Sequence, residues 1–234
     1  MAILPPVQPI PPLPTAPEVF IQASNALGVP VTLLIGICLI VVVSARDWRL
    51  VLAALMALYI GLALVTATVL PPQWALLRVV VGGLVAIMWY LSAHRAGWGG
   101  RFLPFQQQGG VQARPLASTT LFRALLAVTL AAALLIARPR LPIPTVDPDI
   151  RLVFTWLAAF GLLGLALGEE AMQNGAALLM WIAATQLLLS SLERDPWLIW
   201  LLSSTEILLG LAIAYLIVAR GSQTRPAPVE GDAR

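Results

Sequence analysis

Glu206 is the residue least easily explained by packing alone. It stands near the middle of an apolar stretch, residues 197–218, about ten residues from either end of a segment long enough to span a bilayer. An ionised carboxylate at that depth is costly, so the group must be neutral, paired, or turned toward an internal cavity. Each of these suits a side chain that takes up and releases protons. Ser203, Gly210 and Ala214 share its helix face at spacings of three and four. Small residues there allow close helix approach and turn Glu206 into a bundle. A purely structural interhelical hydrogen bond is the competing explanation. Arg78 lies about one turn inside another apolar stretch. Its expected behaviour is to snorkel to the nearer interface, with a partnership to Glu206 as the alternative. Gln186 is placed to hydrogen-bond across helices. Glu169 and Glu170 sit at a polar turn, where carboxylates favour the start of the following helix. Glu206, Glu170, Arg78 and Gln186 are therefore the candidates for a proton or ion path.

The same inventory excludes other chemistry. All 14 basic residues are arginine, and without lysine no retinal Schiff base can form. A lone histidine, His94, cannot supply a pair of axial haem ligands, and it stands beside Arg95 at a stretch end as an interfacial polar residue would. No Cys/His cluster suggests zinc or an iron–sulfur centre. The single cysteine, Cys38, reads as a small core hydrophobe. No nucleophile–base pair is apparent. The net charge of +3 comes from scattered arginines without interleaved aromatics, so nucleic-acid binding has no support. The expectation is a chain with no catalytic residues, no metal and no cofactor.

The elements that must position these residues are membrane helices. Hydrophobic residues make up 59% of the chain and charged residues 11%, well outside the range of soluble domains. The apolar residues gather into seven runs, 27–43, 48–69, 74–91, 120–137, 150–167, 175–192 and 197–218. Each is long enough to cross a ~30 Å hydrocarbon core as a helix. Arg46-Asp47, Pro71-Pro72, the Gly/Gln-rich segment near 106–110, the prolines 142, 144 and 148, and Glu193-Arg194-Asp195-Pro196 separate the runs. Between the fifth and sixth runs there is no proline. A continuous helix of about forty residues would measure about 60 Å, twice the membrane, so the chain must turn within the polar segment 168–174.

The organisation expected is a Pro-rich extracytoplasmic tail over 1–26 and a four-helix membrane part over 27–137 with a cytoplasmic loop at 92–119. An extracytoplasmic loop at 138–149, a three-helix part over 150–218 and a disordered cytoplasmic tail over 219–234 follow. The N-terminal prolines, with no basic residue before them, do not form a secretory signal. Alternate connections place Arg46, Arg49, Arg95, Arg101, Arg114, Arg220, Arg225 and Arg234 on one side. The other side receives Arg138, Arg140, Arg151 and Arg194. The richer side should be cytoplasmic, with the N-terminus outside and the C-terminus inside. A faint repeat pairs Gly83-Leu84 with Gly210-Leu211, and the end of the third run, Trp89-Tyr90-Leu91, with that of the seventh, Ala214-Tyr215-Leu216. Runs one to three and five to seven would then cross in the same sense.

The last three runs resemble the small K subunit of respiratory complex I and its antiporter relatives. Gly168-Glu169-Glu170-Ala171-Met172-Gln173-Asn174 looks like that family's Gly-Leu-Glu-x-x-x-Asn signature. The segment from Ser203 through Glu206 to Ala212 resembles its Ala-Glu-x-x-x-Gly-Leu-Ala signature. The whole chain is similar to component E of hydrogenase-4 type complexes, in which four helices precede three K-like ones and a basic residue occupies the third helix near the place of Arg78. The two relatives imply different registers for the sixth helix. One makes Glu170 the buried carboxylate; the other sets the family glutamate on Ile182 and its polar neighbour on Gln186. The resemblance implies a membrane-arm subunit of a complex I-like or group 4 hydrogenase-like assembly, contributing to proton or cation translocation. Its partners would be large antiporter-like membrane subunits and the lipid of a bacterial inner membrane. The alternative is a structural or assembly subunit of another bioenergetic complex with no ion path of its own.

The arginine asymmetry has a direct consequence. A reporter active only in the periplasm should be active when fused within 138–148 and silent within 101–112. The reverse pattern would invert the orientation, and equal signals would overturn the helix count.

Overall fold

In a computed structural model of the chain, residues 28–98, 120–137, 148–192 and 196–223 are described, the side chains of 28–30, 196, 222 and 223 excepted. The tail 1–26, most of the loops 92–119 and 138–149, and most of the tail 219–234 lie outside the described residues. Within them are seven helices and no strand: α1 Gly28–Ser44, α2 Trp48–Ala67, α3 Pro72–Arg95, α4 Thr120–Ala137, α5 Pro148–Leu167, α6 Ala171–Leu192 and α7 Pro196–Gln223. Six of them, α2 to α7, are long and apolar enough to cross a membrane, and α1 is the shorter at 17 residues. The protein is a multi-pass membrane protein, all-helical among the described residues. In hydrocarbon the backbone has no other partner for its amides, so each apolar run closes its hydrogen bonds along its own helix.

Helix ends fall where local chemistry puts them. Pro72 opens α3 at a position whose N–H has no helical partner in any case. The same helix runs past the expected end at 91 and stops at a glycine. Gly97 takes φ +84°, Trp98 N–H donates to the Ala93 carbonyl at 3.0 Å, and Gly97 N–H donates to that of His94 at 3.1 Å. This pair of bonds is a Schellman closure, and it satisfies carbonyls that the helix end would otherwise leave open. The turn between α5 and α6 is tighter than the expected 168–174. Gln173 and Asn174 belong to α6, and Asn174 N–H donates to the Glu170 carbonyl at 3.1 Å. Gly168 makes this possible, because a Cβ there would strike the Asn174 side-chain oxygen and approach the Gly164 carbonyl to 2.9 Å. The seventh helix also continues beyond the expected 218, so residues 219–223 of the proposed tail are helical.

α3 and α7 run side by side in the same direction. Trp74 and Trp200 meet edge-to-face at 6.1 Å near their starts, and Gly221 lies against Ala96 near their ends. The connections α2–α3 and α6–α7 therefore share one end of the bundle. The ends of α3, α5 and α7, the α1–α2 connection and the start of α4 share the other. Among α1–α3 and α5–α7, the main packing partners are α1 with α2, α2 with α3, α5 with α6, α6 with α7, α3 with α7, and α1 with α5. Exchanging α1–α3 with α5–α7 maps this set onto itself, in line with the repeat in the sequence. α4 stands outside it, laid against α1 and α5. The core is built from the inward faces, among them Leu55, Leu58, Val85, Trp89, Phe160, Leu179 and Ile213. Outward faces carry large apolar side chains such as Ile136, 84% exposed, as a lipid-facing surface does.

Adjacent glycines in α3 point in different directions. A Cβ on Gly82 would run into the Tyr59 ring and come within 2.6 Å of its Cβ, whereas one on Gly83 meets nothing within 4 Å. Gly82→Ala should destabilise the bundle by about 1–3 kcal/mol through overpacking. Gly83→Ala should be neutral or stabilising by up to about 1 kcal/mol through helix propensity. Thermal unfolding in detergent reads both, and equal effects would mean that the α2–α3 contact is not as close as described.

Candidate functional site

Four helices bring polar side chains to one interior region. Glu206, on α7, has no exposed surface. It faces inward with Ser203, Gly210 and Ala214, all buried, while Thr205 beside it is exposed. Arg78, on α3, is only 2% exposed, so it does not snorkel. The physical reason is its face: Arg78 shares the buried stripe of Ala75, Val81 and Gly82, which packs inward, and the guanidinium has no route to the interface along it. It instead acts on Glu206 as the oppositely charged group. Its Nη2 also reaches toward the Ala183 carbonyl of α6, a long contact of 3.5 Å. One turn along α6, buried Gln186 donates from Nε2 to Ser203 Oγ at 3.1 Å. The three sequence candidates Glu206, Arg78 and Gln186 thus belong to one cluster.

Tyr59, on α2, completes it. The ring is buried over Gly82, and its hydroxyl is aimed at the Glu206 carboxyl, short of a well-formed hydrogen bond. Sequence reasoning missed Tyr59 because a tyrosine in an apolar run resembles an aromatic packing residue. The available signal was the phenol itself: a polar tip eight residues inside a helix needs a partner there.

The hydrogen bonding of the cluster is incomplete. Tyr59 Oη, Arg78 Nη1, Gln186 Oε1 and both Glu206 oxygens are buried without a hydrogen-bond partner among the described residues. Each such atom costs about 1–3 kcal/mol in an ordinary core, and native structures retain them chiefly where water, an ion or chemistry has a use for them. The arrangement can hold a carboxylate beside Arg78. It can also hold a neutral carboxylic acid, with the Tyr59 oxygen available to accept a hydrogen bond from its O–H. A group balanced between these two states is what proton exchange requires.

Comparison with protein-family models, curated proteins and solved structures finds no match to this chain. The site is therefore read from its own geometry.

Glu170 is not part of the cluster. It lies exposed in the short α5–α6 turn, at the opposite end of the bundle from Gln186. The packed helix ends around it lift its carboxyl above the ordinary range, and Glu169 adds to the lift, while Arg123, Arg46 and Arg220 pull it back. Beside it is a second polar centre that the sequence reading overlooked. Arg123, 1% exposed, donates to the Leu167 carbonyl at 2.7 Å and to Gln173 Oε1 at 3.1 Å, and pairs with Glu169 at 3.0 Å. These bonds tie the peripheral α4 to the α5–α6 turn. Arg123 sits three residues inside its run, where a basic residue reads as an interfacial anchor. Only the packing of α4 onto α1 and α5 buries it. His94 is exposed and stacked on Tyr90 at 6.3 Å, which fits an interfacial role.

The Arg78–Glu206 coupling is measurable. Arg78→Met should lower stability by about 3 kcal/mol because it leaves a buried carboxyl without its counter-charge. Adding Glu206→Gln should restore part of that loss, with a coupling of about 1–3 kcal/mol in a double-mutant cycle read by thermal unfolding in detergent. Strict additivity would separate the two residues.

Proposed function

We propose that this chain is a membrane-arm subunit of a complex I-like or group 4 hydrogenase-like assembly, and that Glu206 carries protons within it. The observation that carries the reading is the buried Glu206 carboxyl, opposed by Arg78 and Tyr59 and left without a hydrogen-bond partner. A packing residue gains nothing from ionisability, whereas a proton carrier requires it. The resemblance of residues 203–212 to a K-subunit signature supports the same residue. The position of Gln186 inside the cluster favours the component E register over the one that buries Glu170. In this reading the protein sits in a bacterial inner membrane with its N-terminus outside. Large antiporter-like subunits beside it complete the route, since its own polar side chains are few. No cofactor is needed for this role.

Glu206→Gln tests the reading, because it keeps the shape and loses the exchangeable proton. The glutamine variant should assemble normally and lose pumping in membranes containing the whole complex. Glu206→Asp should retain part of the activity, since the carboxyl remains and only its reach shortens. Full pumping by an assembled glutamine variant would make Glu206 structural and favour the reading as an assembly subunit.

A further inference from the structure

The buried polar side chains are distributed unevenly along the bundle axis. They form a ladder from Glu206 to the end where the α2–α3 and α6–α7 connections lie. At 1.5 Å per residue, Thr66 and Ser190 stand within about 3 Å of their helix ends, Arg78 and Gln186 at about 9 Å, Tyr59 at about 12 Å and Glu206 at about 15 Å. Ser203 falls between Gln186 and Glu206, and Gln186 is hydrogen-bonded to it. Thr66 and Ser190 use their hydroxyl protons on the carbonyls of Leu62 and Leu187, which leaves oxygen lone pairs turned to the interior.

On the other side of Glu206 the layer next to it is apolar, and polar groups return only near the far end of the bundle. Val85, Trp89, Met172, Ala176, Met180, Ile213, Ala214 and Ile217 are all buried there. Trp89 closes the centre. Its indole N–H donates to the Gly210 carbonyl at 2.9 Å, one turn beyond Glu206, and its ring is wedged beside Ile213 over Gly175. Near the far end Arg123 is engaged with Leu167, Gln173 and Glu169, Asn174 Oδ1 is buried, and a cavity of about 10 Å³ reaches as far as Met180, short of Trp89 and Ile213. A proton moving along hydroxyl, amide and water positions has rungs on one side of Glu206 and a dry plug on the other.

We infer that Glu206 exchanges its proton with the aqueous phase at the α2–α3 and α6–α7 end alone, through Ser203, Gln186 and Ser190, and that Trp89 with Ile213 seals it from the opposite end. Uptake converts the carboxylate to the neutral acid, the proton coming from water at the ladder's mouth. Release returns the proton to a water or to a neighbouring subunit and leaves the carboxylate facing Arg78. The inference rests on the proposed function only for what travels; the polarity of access is a property of the bundle.

Thiol accessibility in sealed vesicles tests it. Single-cysteine chains in a Cys38→Ala background would carry Ser190→Cys, Ser203→Cys, Ala176→Cys or Ala214→Cys. Thr68→Cys and Arg46→Cys, both at exposed positions, mark the two ends. The probe is a small membrane-impermeant methanethiosulfonate, applied to vesicles of both orientations. Ser190→Cys and Ser203→Cys should react in the orientation in which Thr68→Cys reacts and lose labelling in the other. Ala176→Cys and Ala214→Cys should react in neither. Labelling of Ala176→Cys or Ala214→Cys from the Arg46 end, or no labelling of Ser190→Cys and Ser203→Cys from the Thr68 end, would overturn the inference. Face-selective labelling together with full pumping by Glu206→Gln would sink the proposed function and leave the one-sided access standing.

Discussion

A carboxyl group placed inside an apolar bundle has to be balanced by the protein, because its buried position deprives it of the hydration that an exposed carboxylate has. In this chain the counter-charge acting on it is Arg78, held on the neighbouring α3 beyond direct hydrogen-bond contact. The two belong to helices far apart in sequence. They come into the same interior region because α3 and α7 lie side by side in the same direction, pinned by Trp74 and Trp200 at one end and by Ala96 and Gly221 at the other. In a low-dielectric interior the attraction of such a pair is strong, and so is the cost of leaving either member alone. α2 and α6 then flank the pair, contributing Tyr59 and Gln186.

The incomplete hydrogen bonding of this cluster contrasts with the second polar centre. Arg123 finds a carbonyl, an amide oxygen and a carboxylate within hydrogen-bonding distance, and through them holds α4 against the α5–α6 turn. That is how a structural buried arginine is expected to behave: its charge is met and most of its donors are used. A cavity of about 10 Å³, room for about one water, lies between Arg123, Gln173 and Gly168. The Glu206 centre instead leaves both carboxylate oxygens, a phenol and a guanidinium nitrogen unused. Arg123 Nε and the neighbouring Asn174 Oδ1 are also left unpaired, so the centres differ in degree: the buried arginine has a carboxylate partner, and the buried carboxyl has no hydrogen-bond partner among the described residues.

Close approach of the helices depends on small residues at the contacts. Gly82 admits the Tyr59 ring, Gly175 admits Ile213 and the edge of Trp89, and Gly210 lies under Val85. Without a hydrophobic driving force between helices in lipid, such interlocking supplies the association energy. It also places the tyrosine and the tryptophan, one in the polar cluster and one at its dry boundary. α4, with fewer buried positions, contributes to neither and presents Leu121, Leu125 and Ile136 outward.

Run length and composition were enough to mark the seven helices, and α4 begins and ends at the residues its apolar run marks, because the bilayer requires a fixed length of internally bonded backbone. The same reasoning marked Glu206, since a lone carboxylate mid-run is conspicuous in one dimension. Helix ends were less legible: α3 ran on to Arg95 until Gly97 closed it, and α6 began at Ala171 because Gly168 let the chain turn in three residues. Other features belong to three dimensions. Arg78 and Arg123 both sit a turn or less inside their runs, where linear position suggests an interface. Their burial is set by which face of α3 meets α7 and which face of α4 meets α1 and α5. Tyr59 became a site residue, and Glu170 was left out of the cluster, for the same reason. Depth in the membrane is written along one chain, but the azimuth of a side chain and the identity of its neighbour are decided only when helices pack against one another.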